Sequence, residues 1–188
     1  MAGTHEYIFE IDSTLIRLRN IMRLNFLENP ENINSPFYNS VIIEALIHLN
    51  FLLQQALKPE ISIPINFTDD IPEYQNANRR KENYYDITTL IRFFRDAACH
   101  NITSKRQTRD ESQTISFVYQ TGKTGKKNSG IKHLCKYDDD IALLMGDHVL
   151  YIRRHLTRAY DEICEKLLSL ERFHAYKTLI DLRMTEGR

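Results

Sequence analysis

Apolar residues recur at the spacing of one helix face in four stretches of the chain, and between them the pattern turns to alternation or breaks at proline and glycine. From about Glu6 to Glu28, Ile8, Ile11, Leu15, Leu18, Met22 and Phe26 form one stripe with Arg17, Arg19 and Arg23 off it, which predicts a helix with a packed and a solvated side. Asn29-Pro30 and Asn34-Ser35-Pro36 end it, since the residue before proline leaves the helical region, and predict a connection that turns the chain back. A second helix is expected from about Phe37 to Leu57. There Val41, Ile42, Ala45, Leu46, Leu49, Phe51, Leu52, Leu53 and Ala56 cover more than half the circumference, so this should be the most buried helix. His48, lying among them, reads as a core histidine hydrogen-bonded to a neighbour.

Pro59, Pro64 and Pro72 exclude a regular helix over the next stretch and mark 58–83 as an irregular insertion, with an alternation at Ile61, Ile63, Ile65 and Phe67. Helical spacing returns at Ile87, Leu90, Ile91, Phe94 and Ala98, predicting a third helix within Asp86 to Asn101. Beyond it, Ile115, Phe117 and Tyr119 alternate with polar or smaller residues, as do Ile131, His133, Cys135 and Tyr137. The two segments read as the arms of a hairpin within 112–137. Asp138, Asp139 and Asp140 put negative charge where a helix would start. The stripe Ile141, Leu144, Met145, Val149, Ile152, Leu156, Ala159, Tyr160, Ile163, Leu167 and Leu170 then predicts one long final helix, weakest at Gly146. The expected fold is mainly all-α, an antiparallel bundle of four or more helices with a small β-hairpin insertion before the last long helix.

The 188 residues carry no low-complexity block, so one domain is expected over 1–188, burying about 70% of the surface of its unfolded chain. Lys plus Arg and Asp plus Glu are 25 each, so no global basic field marks a nucleic-acid binder and any RNA contact must be local. Cys99, Cys135 and Cys164 lie far apart without a CxxC pair, which fits reduced thiols acting as small buried hydrophobes in a cytoplasmic protein. No apolar run approaches the roughly 18 residues of a membrane span, so no membrane partner is expected. The stretch 121–130, TGKTGKKNSG, has glycines and lysines but not the G-x-x-x-x-G-K-[ST] spacing of a phosphate-binding loop.

Candidate chemistry concentrates on the third helix. Arg92, Asp96 and His100 recur at steps of four, so the Asp96 carboxylate can reach Arg92 one turn back and His100 one turn on. Arg95 stands beside this stripe, about 140° and roughly 7.5 Å from His100 on a straight helix, so one helix alone does not bring these two together. Arg92, together with Lys105, Arg106 and Arg109, which follow within ten residues of His100, supplies candidate RNA-backbone contacts. Arg95, Asp96 and His100 read together as R-D-x-x-x-H. This resembles the R-[N/D/H]-x(3–5)-H signature of the HEPN superfamily, all-α domains that include RNases of toxin–antitoxin and phage-defence systems. The motif lies late in the third helical segment, with long apolar helices before and after it, as that architecture requires.

The resemblance implies Arg95 and His100 as catalytic residues, Asp96 as the polar residue that orients them, and a two-fold homodimer whose motifs share one cleft. The residues suit metal-independent RNA cleavage: histidine moves protons near neutral pH, and arginine stabilises extra phosphate charge in the transition state. The ribose 2′-hydroxyl is the nucleophile, giving a 2′,3′-cyclic phosphate and a 5′-hydroxyl, with no cofactor. One histidine per chain, where two proton-transfer groups help, argues for a site composed from two chains. Toxins of this superfamily often pair with an antitoxin, in some cases a nucleotidyltransferase that modifies a tyrosine two residues after the histidine. Here that position is Ile102, which departs from the pattern. The alternative reading is a non-catalytic HEPN-like binding or assembly module that partners a nucleotidyltransferase or another regulator. A DNA-binding regulator ranks behind both, for want of a basic recognition helix.

Overall fold

The computed structural model describes residues 2–23, 25–58, 86–99, 117–122, 135–145, 148–170 and 173. The 59–83 part of the expected insertion, His100 with the basic residues after it, the 123–134 loop and hairpin arm, and nearly all of the tail lie outside the described residues. Helices dominate the rest, accompanied by one three-stranded antiparallel sheet. No helix among the described residues is long and apolar enough to cross a membrane.

Helix α1 runs Ala2–Arg23 and ends five residues before the expected Glu28, because Asn25 takes a left-handed conformation (φ 47°) that asparagine tolerates better than most residues. A 3-10 turn, Pro30–Asn34, follows. The Asn29 side chain caps it by accepting from the Glu31 N–H at 3.0 Å, with Pro30 in the first position. Helix α2, Tyr38–Ala56, matches the expected span to within a residue at each end and is the central helix, with α1 and the two later helices, α3 (Ile87–Cys99) and α4 (Arg158–Ser169), all packed on it. Tyr38, fully buried, fastens the connection by donating to the Leu27 carbonyl at 2.6 Å while its ring meets Phe26. His48 is less buried than expected, and its Nε2 stands 3.6 Å from Glu44 one turn back.

Helix α3, Ile87–Cys99, is started by Asp86. Its carboxylate accepts the Thr89 N–H at 2.7 Å, while the Thr89 hydroxyl oxygen accepts the Asp86 N–H at 3.3 Å, a reciprocal capping arrangement. Ile87, Leu90, Ile91 and Phe94 are buried as their spacing predicted, joined by Phe93 and Ala97.

The second half of the chain departs from the expected order. Residues 141–145 and 148–151 are strands: β2 (Ile141–Met145) and β3 (His148–Tyr151) join β1 (Val118–Thr121) in an antiparallel sheet with β2 in the middle. The partner of β1 is therefore β2, pairing Val118 with Leu144 and Thr121 with Ile141, while Cys135–Tyr137 form no strand. The long final helix is shorter than its stripe implied. It begins with a π-helical segment, Ile152–Thr157, that runs into α4, Arg158–Ser169.

The reason is that β2 is buried on both faces. Ile141, Leu143 and Met145 join the main core with Leu150 and Ile152, whereas Ala142 and Leu144 join a second small core with Cys135, Val149 and Tyr151. A strand covered on both sides is continuously apolar, and such a run contains a helical stripe as readily as an alternating one. Met145 pairs with His148, so β2 and β3 are successive antiparallel strands where one continuous helix was expected.

Candidate functional site

The third helix carries its polar residues on the side away from Leu90, Ile91 and Phe94. Arg92 is exposed, Arg95 retains 30% of its side-chain exposure and Asp96 18%. The Asp96 Oδ1 holds the Arg95 Nη1 at 2.9 Å. Sequence spacing pointed instead to Arg92 and His100 as the partners of Asp96. Neighbouring residues on a helix diverge by about 100°, so the Arg95 side chain must curve back along the surface to make this contact. The Arg95 Nε is buried and has no hydrogen-bond partner among the described residues. One edge of the guanidinium is thus held by a carboxylate, which restrains the plane of the group.

The structure thus brings Arg95 and Asp96 together. His100, one residue beyond the end of α3, and Lys105, Arg106 and Arg109 lie outside the described residues.

The position of this helix end follows from an aromatic chain. Phe94 stacks on Phe117 with ring centroids 6.1 Å apart, and two residues on Tyr119 meets the Tyr38 ring edge-on at 5.0 Å. The Tyr119 hydroxyl donates to Asn39 Oδ1 at 2.7 Å. The C-terminal half of α3 therefore lies towards the N-terminal end of α2. Burial pushes the Tyr38 and Tyr119 phenols well above their ordinary range, so both stay neutral donors.

A second polar centre, which the sequence reading did not assemble, lies where the sheet meets the last helix. Asp140, 1% exposed in its side chain, accepts from the backbone N–H groups of Ile141 (2.8 Å), Arg153 (2.8 Å) and Arg154 (3.1 Å) and from Arg154 Nη1 (3.0 Å). The charge run does favour a helix start, but that of the π-helical segment across the hairpin, not of the residues next in sequence. Arg154 also binds Asp139 at 2.9 Å and stacks 3.8 Å over the Tyr137 ring. The hydrogen bond from Arg154 draws the Asp139 carboxyl below its ordinary range. Arg153 Nε reaches Glu28 Oε2 at 3.1 Å, and Thr157 donates to Glu28 Oε1 at 2.8 Å, tying in the α1–α2 connection. His155, fully buried, accepts the Tyr151 N–H on Nδ1 at 3.1 Å.

This centre is structural. Arg153 and Arg154 are occupied by Glu28, Asp139 and Asp140, and Arg158 pairs with Glu162 at 2.9 Å. Their charge is largely compensated within the chain, which leaves the α3 cluster as the candidate site.

The cysteines separate by environment. Cys135 is buried as expected, whereas Cys99, at the end of α3 beside the motif, is exposed. Burial pushes the Cys164 thiol up to about 12. No protein-family profile, curated protein or solved structure matches the chain.

Proposed function

We propose that the chain is a HEPN-type, metal-independent endoribonuclease, acting as a homodimeric toxin or defence effector. The observation that supports this reading most is the Arg95–Asp96 contact of 2.9 Å on the last turn and a half of α3, partly open to solvent and directly upstream of His100. In this proposal His100 moves the proton of the ribose 2′-hydroxyl or of the leaving 5′-oxygen. Arg95, held by Asp96, stabilises the charge that develops on the phosphorane. Two chains supply the two histidines, and Lys105, Arg106 and Arg109 hold the RNA backbone. The antiparallel helical bundle of a HEPN domain is part of the same proposal.

Expression in a bacterial host tests it. The wild type arrests growth, while Arg95→Ala and His100→Ala relieve the arrest and leave the thermal midpoint within a few degrees, as expected where the loss is catalytic and not structural. If instead Arg95→Ala unfolds the protein or dissociates it while arrest never occurs, the pair is an assembly contact. The chain then belongs with non-catalytic binding modules that partner a regulator.

A further inference from the structure

His155 sits where β3 runs into the last helix, and it is fully buried although its imidazole can carry charge. The junction is π-helical: the Arg158 N–H donates to the Arg153 carbonyl five residues back, a wide turn that recurs at functional positions. Its start is held from two sides. Asp140 accepts the N–H groups of Arg153 at 2.8 Å and Arg154 at 3.1 Å, while His155 Nδ1 accepts the Tyr151 N–H at 3.1 Å and so ties the end of the strand to the helix. A ring nitrogen that accepts a hydrogen bond carries no proton, so the imidazole is neutral, with its hydrogen on Nε2. Protonating Nδ1 sets N–H against N–H and puts a full charge on a ring closed off from water. Both effects oppose the imidazolium in the closed junction.

We propose that His155 is an acid-sensitive latch: a proton taken up at Nδ1 breaks the bond to the Tyr151 N–H and opens the junction between β3 and the last helix. The latch does not rest on the RNase reading.

Ionisable groups reach this junction from every neighbouring element except β2, which brings only apolar residues. From β3 comes Tyr151, whose ring meets His155 edge-on at 5.1 Å and whose phenol is pushed up to about 12 by burial. Residues 135–140 bring Cys135, raised by burial, Tyr137 against the Tyr151 ring, and the carboxylates of Asp139 and Asp140. The α1–α2 connection brings Glu28, which holds Arg153 and Thr157, and α4 brings Arg158 with Glu162, and Asp161. Phenols and thiols as classes stay protonated below pH 7, and carboxylates as a class fill with protons around pH 4. Asp161, raised by burial, favours the folded state as pH falls, so it cannot imitate a loss in acid.

An imidazole in an opened or unfolded chain takes up its proton near pH 6.5, whereas the latched ring does not, so stability is complete above that value and is lost as pH falls below it. Between pH 7 and 5 the opened state therefore gains about 20- to 30-fold over the closed one.

Amide hydrogen exchange on the full-length protein at pH 7 and 5 tests the latch, wild type beside His155→Asn, whose side-chain oxygen can still accept and cannot be protonated. In the wild type the protection factors of the Tyr151, Arg153 and Arg154 amides fall by about 20- to 30-fold between the two pH values and stay below that of Leu49 in α2, which reports global unfolding. In the variant they fall by less than about threefold. Nitrogen NMR of the histidine rings needs no variant and decides the matter even if His155→Asn does not fold: in the closed wild type at pH 5, His155 is still neutral with its hydrogen on Nε2. An imidazolium there overturns the proposal. So does protection at Tyr151 that is the same at both pH values, drops as far in the variant, or equals that of Leu49.

Discussion

Asp140→Ala is the substitution most informative about how the two halves of the chain are joined. The carboxylate is the acceptor for three backbone N–H groups and for one arm of Arg154, and its side chain is 1% exposed. Losing it removes the N-terminal cap of the last helix, about 1–2 kcal/mol. Any of the N–H groups then left buried without an acceptor costs about 1–3 kcal/mol more. Arg154 is 27% exposed and keeps Asp139 and the Tyr137 ring, so its loss falls short of the roughly 3–5 kcal/mol of a fully buried pair. These effects overlap because they concern the same donors, and a total of about 3–5 kcal/mol is expected, a large share of the stability of a typical domain. The midpoint of thermal unfolding, followed by circular dichroism at neutral pH, should fall by about 10 °C. Asp140→Asn, which keeps one acceptor oxygen, should lose less than the alanine. Asp139→Ala, at an exposed surface pair, should lose under about 1 kcal/mol. A D140A protein within about 1 kcal/mol of wild type, with Asp139→Ala no milder, would refute the hub described for Asp140.

Other consequences can be checked independently. In the native protein a thiol reagent should modify Cys99 rapidly, the half-buried Cys164 more slowly and Cys135 slowest, with all three reacting in denaturant; fast native labelling of Cys135 contradicts its burial. Asp86→Ala removes the α3 cap and should cost about 1 kcal/mol in chemical denaturation while leaving any RNA cleavage per folded molecule intact; loss of activity without loss of stability would give Asp86 a role in the site. Burial, and then the nearby Glu28, raise the Asp161 carboxyl above its ordinary range. The folded state therefore binds this proton more tightly than the unfolded one, so the group's contribution to stability falls as pH rises through the carboxylate range. Asp161→Asn should be slightly more stable than wild type near neutrality, by an amount that solvent at this exposed position keeps small, and the difference should vanish in acid; the opposite pH trend contradicts the assignment.

The sequence carried the first half of the fold clearly and the second half poorly, for a physical reason. Along α2 and α3 the buried residues Leu46, Leu49, Leu53 and Ile87, Leu90, Ile91, Phe94 recur at steps of three and four, with less buried positions such as Ile47, His48 and Arg92 among them, so their period is readable. Along β2 all five residues are buried because two cores enclose the strand, and nothing polar remains to reveal a period of two. Tertiary pairing with β1, whose residues lie 20 to 26 positions before their partners (Thr121 to Ile141, Val118 to Leu144), decides the outcome, and a local pattern cannot report it. In the site, Arg95, Asp96 and His100 were legible as a motif, but the contact between Arg95 and Asp96 was not: adjacent helical residues point apart, and the reach of the arginine side chain closes the gap. Asp140 was legible as a helix-capping residue yet assigned to the wrong helix start, because the residues it caps are thirteen and fourteen positions on, across a hairpin that the sequence did not disclose.

The central claim is that Arg95 and His100 perform metal-independent RNA cleavage. It is tested most directly by incubating purified full-length protein with a mixed RNA pool in EDTA, wild type beside His100→Ala and Arg95→Ala, and identifying the product ends. The account predicts chelator-resistant cleavage by the wild type alone, leaving 2′,3′-cyclic phosphate and 5′-hydroxyl ends. Unchanged cleavage by folded His100→Ala, or none by a folded, dimeric wild type, contradicts it.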